Sequence, residues 1–166
     1  MKKEKTRDML SEAECLDMIA NTPPALMYRY IEKFADEVYV AGISFRNFMY
    51  SYKKRRNNCV IGGKKLYWNE IFSRAGLSNT YGYKLVGGHK TTLKRDTILR
   101  LCLACEMTPK DAEEALWCSG MPSLRARNPR DAVLISAFGS GIFDPEEVSR
   151  LLVANGQKAL EECGNS

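Results

Sequence analysis

Apolar residues in the second half of the chain recur at the spacing of one helix face. Ile98, Leu101, Cys102 and Cys105 fall at i, i+3, i+4 and i+7, with Leu99 and Leu103 widening the stripe. Ala112, Ala115 and Leu116 repeat the spacing, as do Val148, Leu151 and Leu152. Such a period buries one side of an amphipathic helix. Residues 132–138 are apolar nearly all round, which predicts a central helix there. Three helix starts share one grammar: Thr108-Pro109-Lys110-Asp111, Asn128-Pro129-Arg130-Asp131 and Asp144-Pro145-Glu146-Glu147. Each sets a capping oxygen before a proline that has no N–H to waste, then a carboxylate near the positive helix end. Ser11-Glu12-Ala13-Glu14 and Thr22-Pro23 mark two earlier starts, and Gly120, Gly139-Ser140-Gly141 and Gly156 supply stops.

These signals predict helices near 11–20, 23–37, 43–56, 67–75, 78–86, 92–106, 109–119, 129–138 and 145–154, with a frayed one at 157–163. The only strand candidate is a short hairpin edge, Cys59-Val60-Ile61, before Gly62-Gly63. The expected fold class is all-α. The expected organisation is an N-terminal helical extension (1–40), a core (41–120) and a C-terminal helical pair packed on that core (121–166).

Composition narrows the class. The chain has 166 residues, 45% hydrophobic and 27% charged, enough for a real core. No apolar window of about 18 residues occurs, so no membrane span is expected. Met1-Lys2-Lys3-Glu4-Lys5 is followed by no apolar run of the kind a secretory signal needs. Six cysteines without framework spacing point to reduced thiols in a cytoplasmic protein. The net charge is +5, but its placement matters more. From Val38 to Arg95 there are twelve basic residues and one acid, Glu70; elsewhere there are thirteen basic and nineteen acidic residues. A basic segment on an acidic body is the footprint of a polyanion binder, although a charge run also serves as a solvated face.

The segment Trp68-Asn69-Glu70-Ile71-Phe72-Ser73-Arg74-Ala75-Gly76-Leu77-Ser78-Asn79-Thr80-Tyr81-Gly82-Tyr83-Lys84-Leu85 lies inside that basic stretch. Gly76 can take the left-handed conformation a tight turn requires, Leu77 plugs the core, and Ser78 caps the next helix. Projected at about 100° per residue, Ser78, Tyr81, Gly82, Leu85 and Val86 fall on a packing arc. Asn79, Thr80, Tyr83, Lys84 and Gly87 fall opposite. The second arc offers amide, hydroxyl, phenol and ammonium groups suited to base edges and phosphates. A helical hairpin that merely packs is the alternative.

Ile71, Ala75-Gly76-Leu77-Ser78, Tyr81-Gly82-Tyr83-Lys84-Leu85 and Gly88-His89-Lys90 together resemble bacterial helix-turn-helix proteins of the lambda-repressor-like, xenobiotic-response-element class. A narrower likeness adds Arg95-Asp96-Thr97-Ile98-Leu99 and Arg127-Asn128-Pro129-Arg130-Asp131, so that it covers about residues 66–155. The resemblance implies a five-helix DNA-binding core at 43–119, two extra C-terminal helices and a role in transcriptional control. Two departures stand out: Phe72 where the class usually has a small alanine, and Gly82 where it has valine or isoleucine. Large-for-small on one side and small-for-large on the other conserves volume, which cores tolerate best. Trp68 replaces a polar residue often aimed at the DNA backbone, which weakens the implied phosphate clamp. The loop 57–66 is longer than usual.

On this basis the sequence predicts a transcriptional regulator that binds specific double-stranded DNA, associated with the nucleoid in the cytoplasm. Asn79, Thr80, Tyr83 and Lys84 are expected to face bases, and Arg55, Arg56, Lys64, Lys65, His89 and Lys90 phosphates. A homodimer on two half-sites is a further expectation. The competing class is a non-enzymatic adaptor that uses the same scaffold to hold a protein. Cys102-x-x-Cys105 lies in an apolar helix face without a second pair at zinc spacing, so it reads as core filler rather than metal ligand. His89 is the single histidine, which leaves no Ser/His/Asp set, and no glycine-rich phosphate loop follows a strand. Neither enzyme activity, cofactor nor metal is expected.

Overall fold

A computed structural model describes Asp17 and residues 20–26, 41–58, 64–90, 92 and 94–163. The chain divides into two compact units, 1–39 and 40–166. In the first, the described residues include a single 3-10 turn, Pro24–Leu26. Most of the helices expected at 11–20 and 23–37, and the hairpin edge at 59–61, lie outside the described residues.

The described part of the second unit is all-helical, with seven α-helices and no strand among the described residues: α1 (Ala41–Asn58), α2 (Trp68–Ala75), α3 (Asn79–Val86), α4 (Arg95–Ala104), α5 (Pro109–Cys118), α6 (Pro129–Gly139) and α7 (Pro145–Ala154). The capping grammar operates as the sequence predicts. Thr108 accepts from the Asp111 N–H, Asn128 from those of Arg130 and Asp131, and Asp144 from that of Glu146. Each bond satisfies a donor that the first helical turn leaves without an internal partner.

The central helix is α4, not the helix at 132–138. Every residue of α4 from Asp96 to Ala104 is buried, and α4 packs against α2, α5 and α7. In α6, Leu134, Ala137 and Phe138 are buried, whereas Val133 and Ile135 are half-buried and Ala132 is exposed. An all-round apolar sequence permits burial on every side, but α6 has neighbours only in α5 and α7 among its main packing partners. Cys102 and Cys105 are core residues of α4 and its C-terminal turn. Burial pushes the Cys102 thiol well up and the Cys105 thiol up to about 12, so both are inert at neutral pH.

Residues 157–163 are not helical, which corrects the expected frayed helix. The segment runs along the body with its peptide groups already taken by tertiary partners. Arg130 Nε and Nη2 donate to the carbonyls of Lys158 and Ala159, at 3.0 and 3.2 Å. Arg100 Nε donates to the Glu161 carbonyl at 2.8 Å, and the Glu161 N–H donates to Asp96 at 2.9 Å. The few internal bonds of so short a terminal helix cannot compete with charge-assisted ones of this kind.

Arg130, together with Arg95, also joins α4 to α6 through two crossed ion pairs. Arg95 bonds both oxygens of Asp131 at 2.7 and 3.1 Å, and Arg130 bonds both oxygens of Asp96 at 3.0 and 2.8 Å. The Arg-Asp dipeptides singled out in the sequence are thus each other's partners. Burial alone would raise the Asp131 pKa, but the Arg95 bonds and the Arg125 N–H outweigh it and hold the carboxyl below its ordinary value. A depressed folded pKa contributes stability that is present above the unfolded value, about 3.9, and is lost as pH falls through the folded value. The urea midpoint should therefore hold steady from pH 7 to 5 and fall below about pH 4, and Asp131→Asn should flatten that fall. An identical acid limb in the variant would move the sensitivity to other carboxyls.

Candidate functional site

The α2–α3 pair is built by its turn. Gly76 has φ 76°, and the N–H groups of Gly76 and Leu77 donate back to Ser73 and Phe72 carbonyls. Leu77 enters the core, and Ser78 Oγ accepts from the Tyr81 N–H at 3.2 Å, starting α3. The two arcs of α3 separate as projected within the helix, while at its ends Ser78, expected to pack, is exposed and Gly87, expected to be open, is half-buried. Gly82, Leu85 and Val86 are buried, and Tyr81 is half-buried; Asn79, Thr80, Tyr83 and Lys84 are all exposed.

Gly82 is what lets α3 sit this close. A Cβ there would overlap atoms of the fully buried Phe72 ring. Phe72 and Gly82 therefore form one contact, with the phenyl ring occupying the space a side chain at 82 would fill. Phe72 also reaches the edge of Tyr83, with ring centroids 5.1 Å apart and an interplanar angle of 81°. Edge-to-face geometry of this kind is favourable, and it fixes the root of a phenol whose surface is still 48% exposed. The aromatic row continues through Trp68, stacked 5.8 Å from Phe72, to Tyr50 at 5.2 Å from Trp68.

The expected phosphate contacts divide into three groups. Arg55 pairs with Asp111 at 3.3 Å, Arg56 with Glu106 at 3.2 Å, and Lys64 with Glu70 at 3.7 Å. Glu106 takes Arg74 as well, at 3.6 Å, from a left-handed backbone with φ 55°. These cations serve the body of the protein at least in part. Lys65 is exposed and makes no ion pair among the described residues, and the same holds for Lys54 and for the expected base-facing Lys84, which lie outside the phosphate set. His89 and Lys90 close the C-terminal end of α3: both backbone N–H groups donate to the Lys84 carbonyl, and the Lys90 ammonium lies 4.9 Å from the Tyr81 ring centre. His89 is exposed.

Two positioning devices escape sequence reasoning. Asn57 exchanges two hydrogen bonds with the Leu66 peptide, at 2.8 and 3.1 Å, and so pins the base of the loop that carries Lys64 and Lys65. Lys53 lies 5.4 Å from the Trp68 ring centre, so the tryptophan carries a cation at the start of α2. A run of four basic residues hides which of them turn toward aromatic rings: Lys53 toward Trp68, and Arg55, 5.7 Å from the ring centre of Tyr52. Among the described residues no cluster of His, Cys, Asp or Glu could hold a metal ion, and no helix is long and apolar enough to cross a membrane. Searches against protein-family models, curated proteins and solved structures returned no match for this chain.

Proposed function

We propose that the protein is a lambda-repressor-like helix-turn-helix regulator of transcription, without enzymatic activity, that reads double-stranded DNA with α3. The observation that carries this reading is the polarity of α3. Its back is locked by Leu85, Val86 and the Phe72–Gly82 contact, while Asn79, Thr80, Tyr83 and Lys84 stand together in solvent. An exposed helical face with an amide, a hydroxyl, a phenol and an ammonium matches the donors and acceptors of the major groove. Lys65, His89 and Lys90 flank it as backbone contacts that set register without reading sequence. Arg55, Arg56 and Lys64 join them only by sharing their charge with Asp111, Glu106 and Glu70. A homodimer would place two such helices on half-sites one turn apart. The site of action is the nucleoid of the cytoplasm.

Selection of bound fragments from a random duplex pool tests the reading. A shared motif should emerge, with log K falling steeply against log salt. Lys84→Ala should relax preference at one base position by about 1–3 kcal/mol, whereas Lys65→Ala should weaken all duplexes alike. Negligible binding of wild-type protein to every duplex would overturn the proposal and favour a protein-binding adaptor.

A further inference from the structure

From Ser119 to Arg130 the chain contains three arginines and no acid, in a part of the sequence whose overall balance is acidic. Arg130 is consumed by Asp96. Arg125 and Arg127 are exposed and make no ion pair among the described residues, while Leu124 between α5 and α6 is buried as an anchor.

The backbone of this loop is held by α4. Arg95 Nε and Nη2 donate to the carbonyls of Pro122 and Ser123, both at 2.9 Å. The Arg125 N–H donates at 2.9 Å to the same Asp131 oxygen that Arg95 Nη2 bonds. The Asn128 N–H closes the turn on the Arg125 carbonyl at 2.9 Å. The loop therefore sits at the N-terminal end of α4, where the chain arrives from α3 through Lys90 and the exposed Lys94. Asp96 and Asp131, which bond this end of α4 to α6, are buried and already neutralised by guanidinium partners, so they do not offset the exposed cations.

We infer that the pinned loop 121–128 is a second backbone-gripping site, in which Arg125 and Arg127, continued by Lys94, take phosphates of duplex DNA beyond the span that α3 reads. This rests on the DNA-binding reading above. The loop reads no bases; it lengthens the footprint on one flank and adds affinity common to all sequences. Because its backbone is fixed before binding, little ordering accompanies contact, which favours a loop over a flexible tail in this role.

The test uses the full chain and the duplex that emerges from selection, in a short form covering the motif and a form extended by about half a turn on each side. Wild-type protein should bind the extended form more tightly. Arg125→Ala/Arg127→Ala should abolish that advantage and lower the slope of log K against log salt by about two, one ion release for each lost phosphate. Arg125→Lys/Arg127→Lys should keep the slope, since a phosphate accepts a point charge. Both residues are exposed, so the variants should melt with wild-type cooperativity. An unchanged slope in the alanine variant, with wild type still binding, overturns the second site and leaves α3 as reader. Absence of any wild-type binding overturns both.

Discussion

Asp131→Ala is expected to lower stability by about 3–5 kcal/mol, the usual cost of leaving one member of a buried ion pair without its partner. Asp131 holds both Arg95 Nη nitrogens and the Arg125 N–H from a nearly buried position, so its loss strands Arg95 Nη1 and the Arg125 N–H and leaves Arg95 Nη2 with the Ser123 carbonyl alone. Arg95→Ala/Asp131→Ala should cost less than the sum of the single changes, because the double variant leaves neither charge unpaired. The same logic applies to Asp96 and Arg130. Urea unfolding of the four proteins in the cycle measures the coupling. A loss below about 1 kcal/mol for Asp131→Ala would reduce the crossed pairs to the status of surface ion pairs.

Phe72→Ala should cost about 3–5 kcal/mol, as removal of a buried aromatic ring does, and should free Tyr83 from its edge-on support. Gly82→Val should cost about 1–3 kcal/mol or more, since the new side chain enters the volume of the Phe72 ring. Combining them places the valine in the space the ring vacates. The double variant should therefore be more stable than additivity allows, by about 0.5–3 kcal/mol. Strict additivity would mean that the helices separate rather than exchange volume, and that the contact does not set their spacing.

Helix existence was legible in the sequence because it is written in local chemistry. Thr108, Asn128 and Asp144 cap through bonds to residues two or three positions away, and Gly76 turns the chain within its own four residues. The two arcs of α3 were legible for the same reason, being a property of one helix's period. Rank within the fold was not. Residues 132–138 and 96–104 both offer apolar side chains, and only the number of neighbouring helices makes α4 central. The fate of 157–163 was hidden too, because its partners Asp96, Arg100 and Arg130 stand 28 to 65 positions away. Among the site residues, exposure of Asn79, Thr80, Tyr83 and Lys84 followed from periodicity. The diversion of Arg55 and Arg56 to Asp111 and Glu106 depended on how α1 meets α5 and the turn that precedes it, which no local pattern encodes.

The terminal segment after α7 is fastened mainly by its peptide groups. Arg100 and Arg130 seek carbonyl oxygens, and Asp96 and Ser149 seek the N–H groups of Glu161 and Leu160. A seam made this way is nearly blind to spelling. Lys158, Ala159 and Glu161 are replaceable by most residues, whereas proline at 160 or 161 deletes a fastening and shortening the chain deletes several. Sequence drift at 158, 159 and 161 is thus uninformative about the importance of the strip, and a strap that looks dispensable by composition is bonded to α4 through Asp96 and Arg100.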